Sequence, residues 1–304
     1  MKILVFGSNG LVGNSLKRNL SNNDKYECIF STRADTDLFS FKETKETIKN
    51  FMPDLIINAA AKVGGIYAND TQGTQFLLDN LKININILES LIEYKSIKLI
   101  NLGSSCIYPL NAENPIGEKS FMNGALEPTN SPYAMAKLTG IELGKTLNKD
   151  FGHKIINLMP TNLYGPNDNF DGLNSHVIPG LIFRMYKAKE NGDDEFSIWG
   201  TGKPLREFLY VDDLSEAIIF IHENDIEENL INVGSGIEIS ISSLANQIKN
   251  VIGFDGKLNF DSNMPDGNPR KLLDSSLINN LGWKAKTTLE DGLNLTYNWF
   301  KKNI

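Results

Sequence analysis

Residues 1–13 read MKILVFGSNGLVG: a short, mostly apolar run, Lys2–Phe6, enters a turn carrying Gly7, Gly10 and Gly13. The run has the length of a buried strand, and the amphipathic stretch Leu11–Leu20 behind it has that of a helix. Alone, the G-x-x-G-x-x-G spacing fits a plain tight turn equally well. Between a strand and a helix it favours binding, because small residues let the backbone approach a pyrophosphate. The helix N-terminus adds free N–H groups and the positive end of its dipole.

The alternation continues outward from this turn. Cys28–Thr32, Asp54–Ala59, Leu99–Leu102 and Ile155–Met159 read as strands, and Thr44–Phe51 as a helix. Phe76–Tyr94 reads as a helix with Leu77, Leu81, Ile85, Leu88, Leu91 and Ile92 at helical spacing. A further helix is expected from Ser131-Pro132 to about Asn148, with Ser131 as N-cap and Pro132 first in the helix. Such alternation predicts an α/β fold, a doubly wound parallel (Rossmann) sheet with helices on both faces. Past Pro160 the elements shorten and Thr161–Asn174 is rich in Asn, Pro and Gly, which predicts a smaller, interleaved C-terminal substrate-binding lobe. The expected division is 1–160 plus about 207–234 for the dinucleotide domain, and about 161–206 and 235–304 for the lobe.

Composition excludes several functions. The 304 residues, 41% hydrophobic and 22% charged, suit a soluble globular protein and not a disordered one. No apolar run approaches the roughly 20 residues that cross a bilayer, so no membrane association is expected. The N-terminus lacks the features of a signal peptide, and a cytoplasmic location is expected. A net charge of −7 disfavours nucleic acid. Two distant cysteines, Cys28 and Cys106, and three histidines, His153, His176 and His222, give neither a disulfide framework nor a metal site.

The second strand ends Ser31-Thr32-Arg33 with no acidic residue just before Arg33, which favours the 2′-phosphate of NADP(H) over NAD; a solvated arginine is the plainer reading. Asp37 and Leu38 fall near the expected adenine. Tyr133 and Lys137 stand four apart on one helix face, where an ammonium would lower the tyrosine pKa towards the working range. Ser104 closes the strand before them, at the carboxyl edge where open α/β sheets bind ligands.

The glycine turn, Ser104 and the Tyr133/Lys137 pair resemble the extended short-chain dehydrogenase/reductases. More specific stretches are Ala59-Ala60-Ala61-Lys62-Val63-Gly64-Gly65-Ile66, Gly103-Ser104-Ser105-Cys106-Ile107-Tyr108-Pro109 and Met159-Pro160-Thr161-Asn162-Leu163-Tyr164-Gly165-Pro166. Asn174-Ser175-His176-Val177-Ile178-Pro179, Trp199-Gly200-Thr201-Gly202 with Pro204-Leu205-Arg206-Glu207-Phe208, and Pro265-Asp266-Gly267 with Pro269-Arg270-Lys271-Leu272-Leu273-Asp274 extend the similarity nearly end to end. They are similar to the branch that epimerises C3 and C5 of GDP-4-keto-6-deoxymannose and then reduces C4 with NADPH.

This resemblance implies that Gly7, Asn9, Gly10, Leu11, Val12, Gly13, Arg33, Asp37, Leu38, Ala59, Ala60, Ala61, Tyr133, Lys137, Pro160, Asn162, Leu163 and His176 line the cofactor. One departure is Asn9, where the family's turn often carries arginine. Cys106 and His176 would exchange the C3 and C5 protons, since both side chains can titrate near neutrality. A small core cysteine and a satisfied loop histidine are the plainer readings. Tyr133 would protonate O4, with Lys137 on the nicotinamide ribose and Ser104 polarising the ketone. Arg184, Arg206 and Lys271 are candidates for the GDP pyrophosphate and Trp199 for stacking on the base, with Asp266, Lys203 and Arg270 weaker. The resemblance also implies a homodimer through the helices near Leu77–Tyr94 and Tyr133–Leu147. Open alternatives are a 4-epimerase or 4,6-dehydratase, an enzyme forming colitose from a related 4-keto sugar, and a non-catalytic cofactor sensor.

Overall fold

In the computed structural model every residue is described except 22, 172–174 and 265; Asn174 and Pro265 of the motifs above therefore lie outside the described residues. The chain begins β1 (Lys2–Phe6), α1 (Leu11–Leu20), β2 (Glu27–Ser31), α2 (Phe41–Phe51) and β3 (Leu55–Asn58). It continues with α3 (Ile66–Thr71), α4 (Gly73–Leu91), β4 (Lys98–Leu102), α5 (Ser131–Phe151) and β5 (Ile155–Pro160). The second half holds β6 (Asn162–Tyr164), α6 (Val177–Asn191), β7 (Glu195–Trp199), β8 (Leu205–Tyr210), α7 (Val211–Glu223) and β9 (Leu230–Val233). It closes with β10 (Glu238–Ser240), α8 (Ile241–Ile252), β11 (Lys257–Asp261), β12 (Arg270–Lys271), α9 (Ser276–Asn280) and α10 (Leu289–Asn303).

Six parallel strands pair in the order β2-β1-β3-β4-β5-β9. Their side chains alternate between two buried faces, which is why the sequence shows continuous apolar runs there. Ile3, Val5, Leu55, Ile57, Ile100 and Leu102 pack with α1 and α7 residues, whereas Leu4, Phe6, Ile56 and Leu99 pack with residues of α2 and α4. The chain reverses direction across the sheet between β1 and β3, and a ligand crevice opens at such a switch point.

A third core joins α6, α8 and α10 to β7 and β8 through Met185, Phe196, Phe208, Leu244, Tyr297 and Phe300. Strand β8 pairs with β6, β10 and β12, not with the six-stranded sheet, while β9 closes that sheet. Residues 207–210, expected on sequence to run with the dinucleotide domain, thus pair with strands of the smaller sheet. Two local expectations change. The N-cap of α5 is Asn130, and Ser131 is already helical. The short helix α3 was hidden because its few residues, IYANDT, carry no resolvable periodicity.

Candidate active site

The glycine turn is built from close backbone contacts. Gly7 has φ 78°, and a Cβ there would lie 2.6 Å from Ala60 Cα; one on Gly13 would lie 2.3 Å from the Gly7 carbonyl oxygen. These two glycines are required by the protein itself. Gly10 is different, because its Cβ would meet nothing closer than the Gly7 oxygen at 3.4 Å. The space above Gly10 is therefore left for a ligand. Gly10 also caps α1 without any side-chain hydrogen bond, no acidic residue occupies the first turn, and the helix N–H groups are free for a phosphate. The turn thus fits a dinucleotide pyrophosphate.

Around it, Asn9 is exposed, and Leu11 and Val12 are half-buried. Arg33 stands exposed at the end of β2 with its guanidinium 4.8 Å from the Phe39 ring centroid, free to meet a 2′-phosphate. Asp37 accepts the Phe39 N–H at 3.0 Å. Leu38 is buried in the core between β1 and α4, so its side chain serves packing first. Ala59, Ala60 and Ala61 follow β3, and the Ala60 N–H donates to Asn58 Oδ1 at 3.1 Å. That asparagine begins a buried ladder: Asn58 donates to Asn101 at 2.8 Å and Asn101 to Asn157 at 3.0 Å, tying the ends of β3 and β4 to the middle of β5. Pro160 ends β5, Leu163 is half-buried on β6, and Asn162 donates to the Glu207 carbonyl at 2.8 Å.

The candidate reacting groups lie where β4 and α5 approach. Ser104 Oγ accepts the Cys106 N–H at 3.2 Å. Tyr133 is 8% exposed and packs edge-on against Phe76 at 6.3 Å. Burial raises the Tyr133 pKa, the nearby Cys106 adds to the rise, and a hydrogen bond with Ser104 opposes it. The expected lowering by Lys137 is thus overridden. Burial also draws the Lys137 pKa down to about 8, and its Nζ donates to the Leu102 carbonyl at 2.7 Å. Desolvation disfavours both charged forms at once.

His176 is the N-cap of α6 and exposed, and desolvation by the protein around it lowers its pKa. Arg184, about two turns along the same helix, lies over the Phe196 and Trp199 rings at 5.3 and 5.7 Å, and Trp199 keeps 42% exposure. Arg206 is desolvated, with Asp266 and Cys106 close enough to favour its charge. Lys271 reaches Cys106 itself, Nζ to Sγ 3.4 Å. Asp266 accepts both the N–H and the hydroxyl of Thr201, at 2.6 and 2.7 Å, clasping the loop that follows Trp199. Lys203 is exposed, and Arg270 is held bidentately by Glu238, with Nε–Oε2 at 2.8 Å. Sequence reading quoted Glu207 within a motif but gave it no role; it is a carboxylate with no exposed surface, next to Arg206 in β8.

Residues 3–234 match the NAD dependent epimerase/dehydratase family, and the chain belongs to it. Within that class it is 46% identical to GDP-L-fucose synthase 1 of Arabidopsis thaliana, over 100% of this chain and 94% of that protein. It is 37% identical to GDP-L-colitose synthase of Yersinia pseudotuberculosis, over 99% and 98% of the two chains. The structure of a GDP-L-fucose synthetase from Naegleria fowleri bound to NADP superposes with a TM-score of 0.89 at 30% identity, covering 99% of this chain and 94% of that one.

Proposed function

We propose that this chain converts GDP-4-keto-6-deoxymannose to GDP-L-fucose, by epimerisation at C3 and C5 followed by reduction at C4. The observation carrying this is the meeting of Ser104, Cys106, Tyr133 and Lys137 beside a glycine turn shaped for a dinucleotide, with Arg206 and Lys271 against the same cysteine. Its GDP-L-fucose synthase relatives support the same reading.

NADPH would supply the hydride; the helix N–H groups behind Gly10 would hold its pyrophosphate and Arg33 its 2′-phosphate. Cys106 and His176 are the acid–base pair: one removes the proton next to the ketone and the other returns one from the opposite face. Ser104 holds O4 while negative charge develops on the enolate. Burial keeps Tyr133 a protonated phenol, the form that donates to O4 in the reduction. Lys137, fixed by the Leu102 carbonyl, holds the nicotinamide ribose and tunes Tyr133. Arg184 and Arg206 hold the GDP pyrophosphate, Lys271 borders them, and Trp199 meets the base.

The division into a dinucleotide domain and a substrate lobe is proposed on the same footing. No helix among the described residues is long and apolar enough to cross a membrane. A cytoplasmic location is supported by two free cysteines, as a reducing compartment allows. A homodimer through α4 and α5 is supported by exposed Leu78 and Ile85 on α4 and Ile92 just past its end, spaced seven apart, with Met135 exposed on α5. The functional test is turnover of GDP-4-keto-6-deoxymannose with NADPH in heavy water. NADPH loss with deuterium at C3 and C5 supports the reading; loss without deuterium reduces it to a 4-ketoreductase. The Yersinia relative makes a related GDP-linked 4-keto sugar the second substrate to try.

A further inference from the structure

Lys271 was expected to meet a phosphate, yet its ammonium lies 3.4 Å from Cys106 Sγ, a contact between residues 165 apart in sequence. The segment bearing Lys271 is held on three sides. Lys271 pairs with Arg206 across β12 and β8. The next N–H, of Leu272, donates to Asn114 Oδ1 at 2.8 Å, and that of Leu273 donates to Glu207 Oε2 at 3.1 Å. Glu207 has no exposed surface and also accepts the Gly236 N–H at 2.7 Å. Burial raises its pKa and these backbone donors oppose the rise. A buried carboxylate used in this way fixes where the lysine stem begins, and so fixes its reach.

Among the described residues, these groups surround Cys106. Ser104 belongs to its own turn, Tyr133 comes from α5, Arg206 from β8 with Asp266 beside it, and Lys271 from β12. From α3 and α4 it meets Ala68 and Phe76, which are apolar. Negative charge on Sγ would be met by two cations, and Lys271 is the one in direct contact.

We propose that Lys271 is the electrostatic partner of Cys106, stabilising its thiolate, and that Glu207 is the positioning residue that holds Lys271 there. The inference rests on the reading of Cys106 as an acid–base group. In the step, Sγ gains the proton as the adjacent C–H bond breaks, the bonding pair passes into the enolate, and Lys271 keeps its own proton throughout.

The test is alkylation of the resting protein by iodoacetamide across pH, with peptide mapping to separate Cys106 from Cys28. Lys271→Met should slow Cys106 alkylation at pH 7 roughly tenfold, as loss of an opposite charge in contact with a thiolate does. Lys271→Arg should restore most of the rate, and Glu207→Gln should show a smaller shift in the same direction. NADPH binding by each variant reports whether it is folded. Unchanged alkylation in a folded Lys271→Met, with a raised KM for the GDP-sugar, would overturn the proposal and leave Lys271 as a phosphate anchor. If the alkylation shift is seen but wild type takes up no deuterium at C3 or C5, the acid–base reading of Cys106 falls while the pairing stands.

Discussion

The ammonium of Lys137 donates to the backbone carbonyl of Leu102, 2.7 Å away, and so bolts α5 to the end of β4. The hydrogen bond fixes the face that α5 presents to the site, and Tyr133 stands one turn earlier on that face. It also places a charge where charge is expensive, since Lys137 is 2% exposed.

That arrangement predicts a trade between stability and activity. With the Lys137 pKa drawn down to about 8 against an ordinary 10.5, the unfolded chain binds its proton more readily across that window. Lys137 therefore subtracts stability at and below pH 8, and the deficit fades as pH rises from about 8 to 10.5. Lys137→Met should leave Tm at pH 7 unchanged or higher while cutting NADPH-dependent reduction by roughly 10²-fold or more. A variant that loses Tm and activity together would contradict this.

Tyr133 separates the two half-reactions. Tyr133→Phe keeps the ring against Phe76 and removes the proton donor. Reduction should fall by about 10²- to 10⁴-fold, while solvent deuterium still enters C3 and C5. Equal loss of both activities, followed by NADPH absorbance and proton NMR, would show that the phenol serves both.

The glycines of the turn divide in the same way. Gly13→Ala drives a Cβ to 2.3 Å from a backbone oxygen that cannot move without opening the turn, and the protein should fold poorly. Gly10→Ala meets only ordinary contact, and Gly10 has φ −78°. Its Tm should match wild type while NADPH affinity weakens by about tenfold or more, a loss of at least ~1.4 kcal/mol. Titration of both variants by fluorescence and calorimetry decides it.

His153 sets an acid limit. It is 5% exposed, neither ring nitrogen has a hydrogen-bond partner, and burial with Lys95 nearby lowers its pKa. Below the ordinary histidine pKa near 6.5 the unfolded chain gains a proton that the folded chain resists. Stability should therefore fall as pH drops from about 6.5, and His153→Phe should flatten that part of the Tm profile. An unchanged slope in the variant would place the acid sensitivity elsewhere.

Near-neighbour chemistry was legible in the chain itself. The run Lys2–Phe6, the glycine spacing and the Tyr133/Lys137 interval determine a strand, a turn and a helix face, because each depends on residues within a few positions of one another. Sequence also marked Cys106, Arg206 and Lys271 as residues of interest, without assigning them to one another. Only tertiary structure decided that Lys271 meets Cys106, that Asp266 clasps Thr201, that Arg270 is taken by Glu238 and that Glu207 is buried to hold a distant loop. It also reversed the expected direction of the Tyr133 pKa, since desolvation depends on everything packed around a group and a four-residue spacing reports only one neighbour.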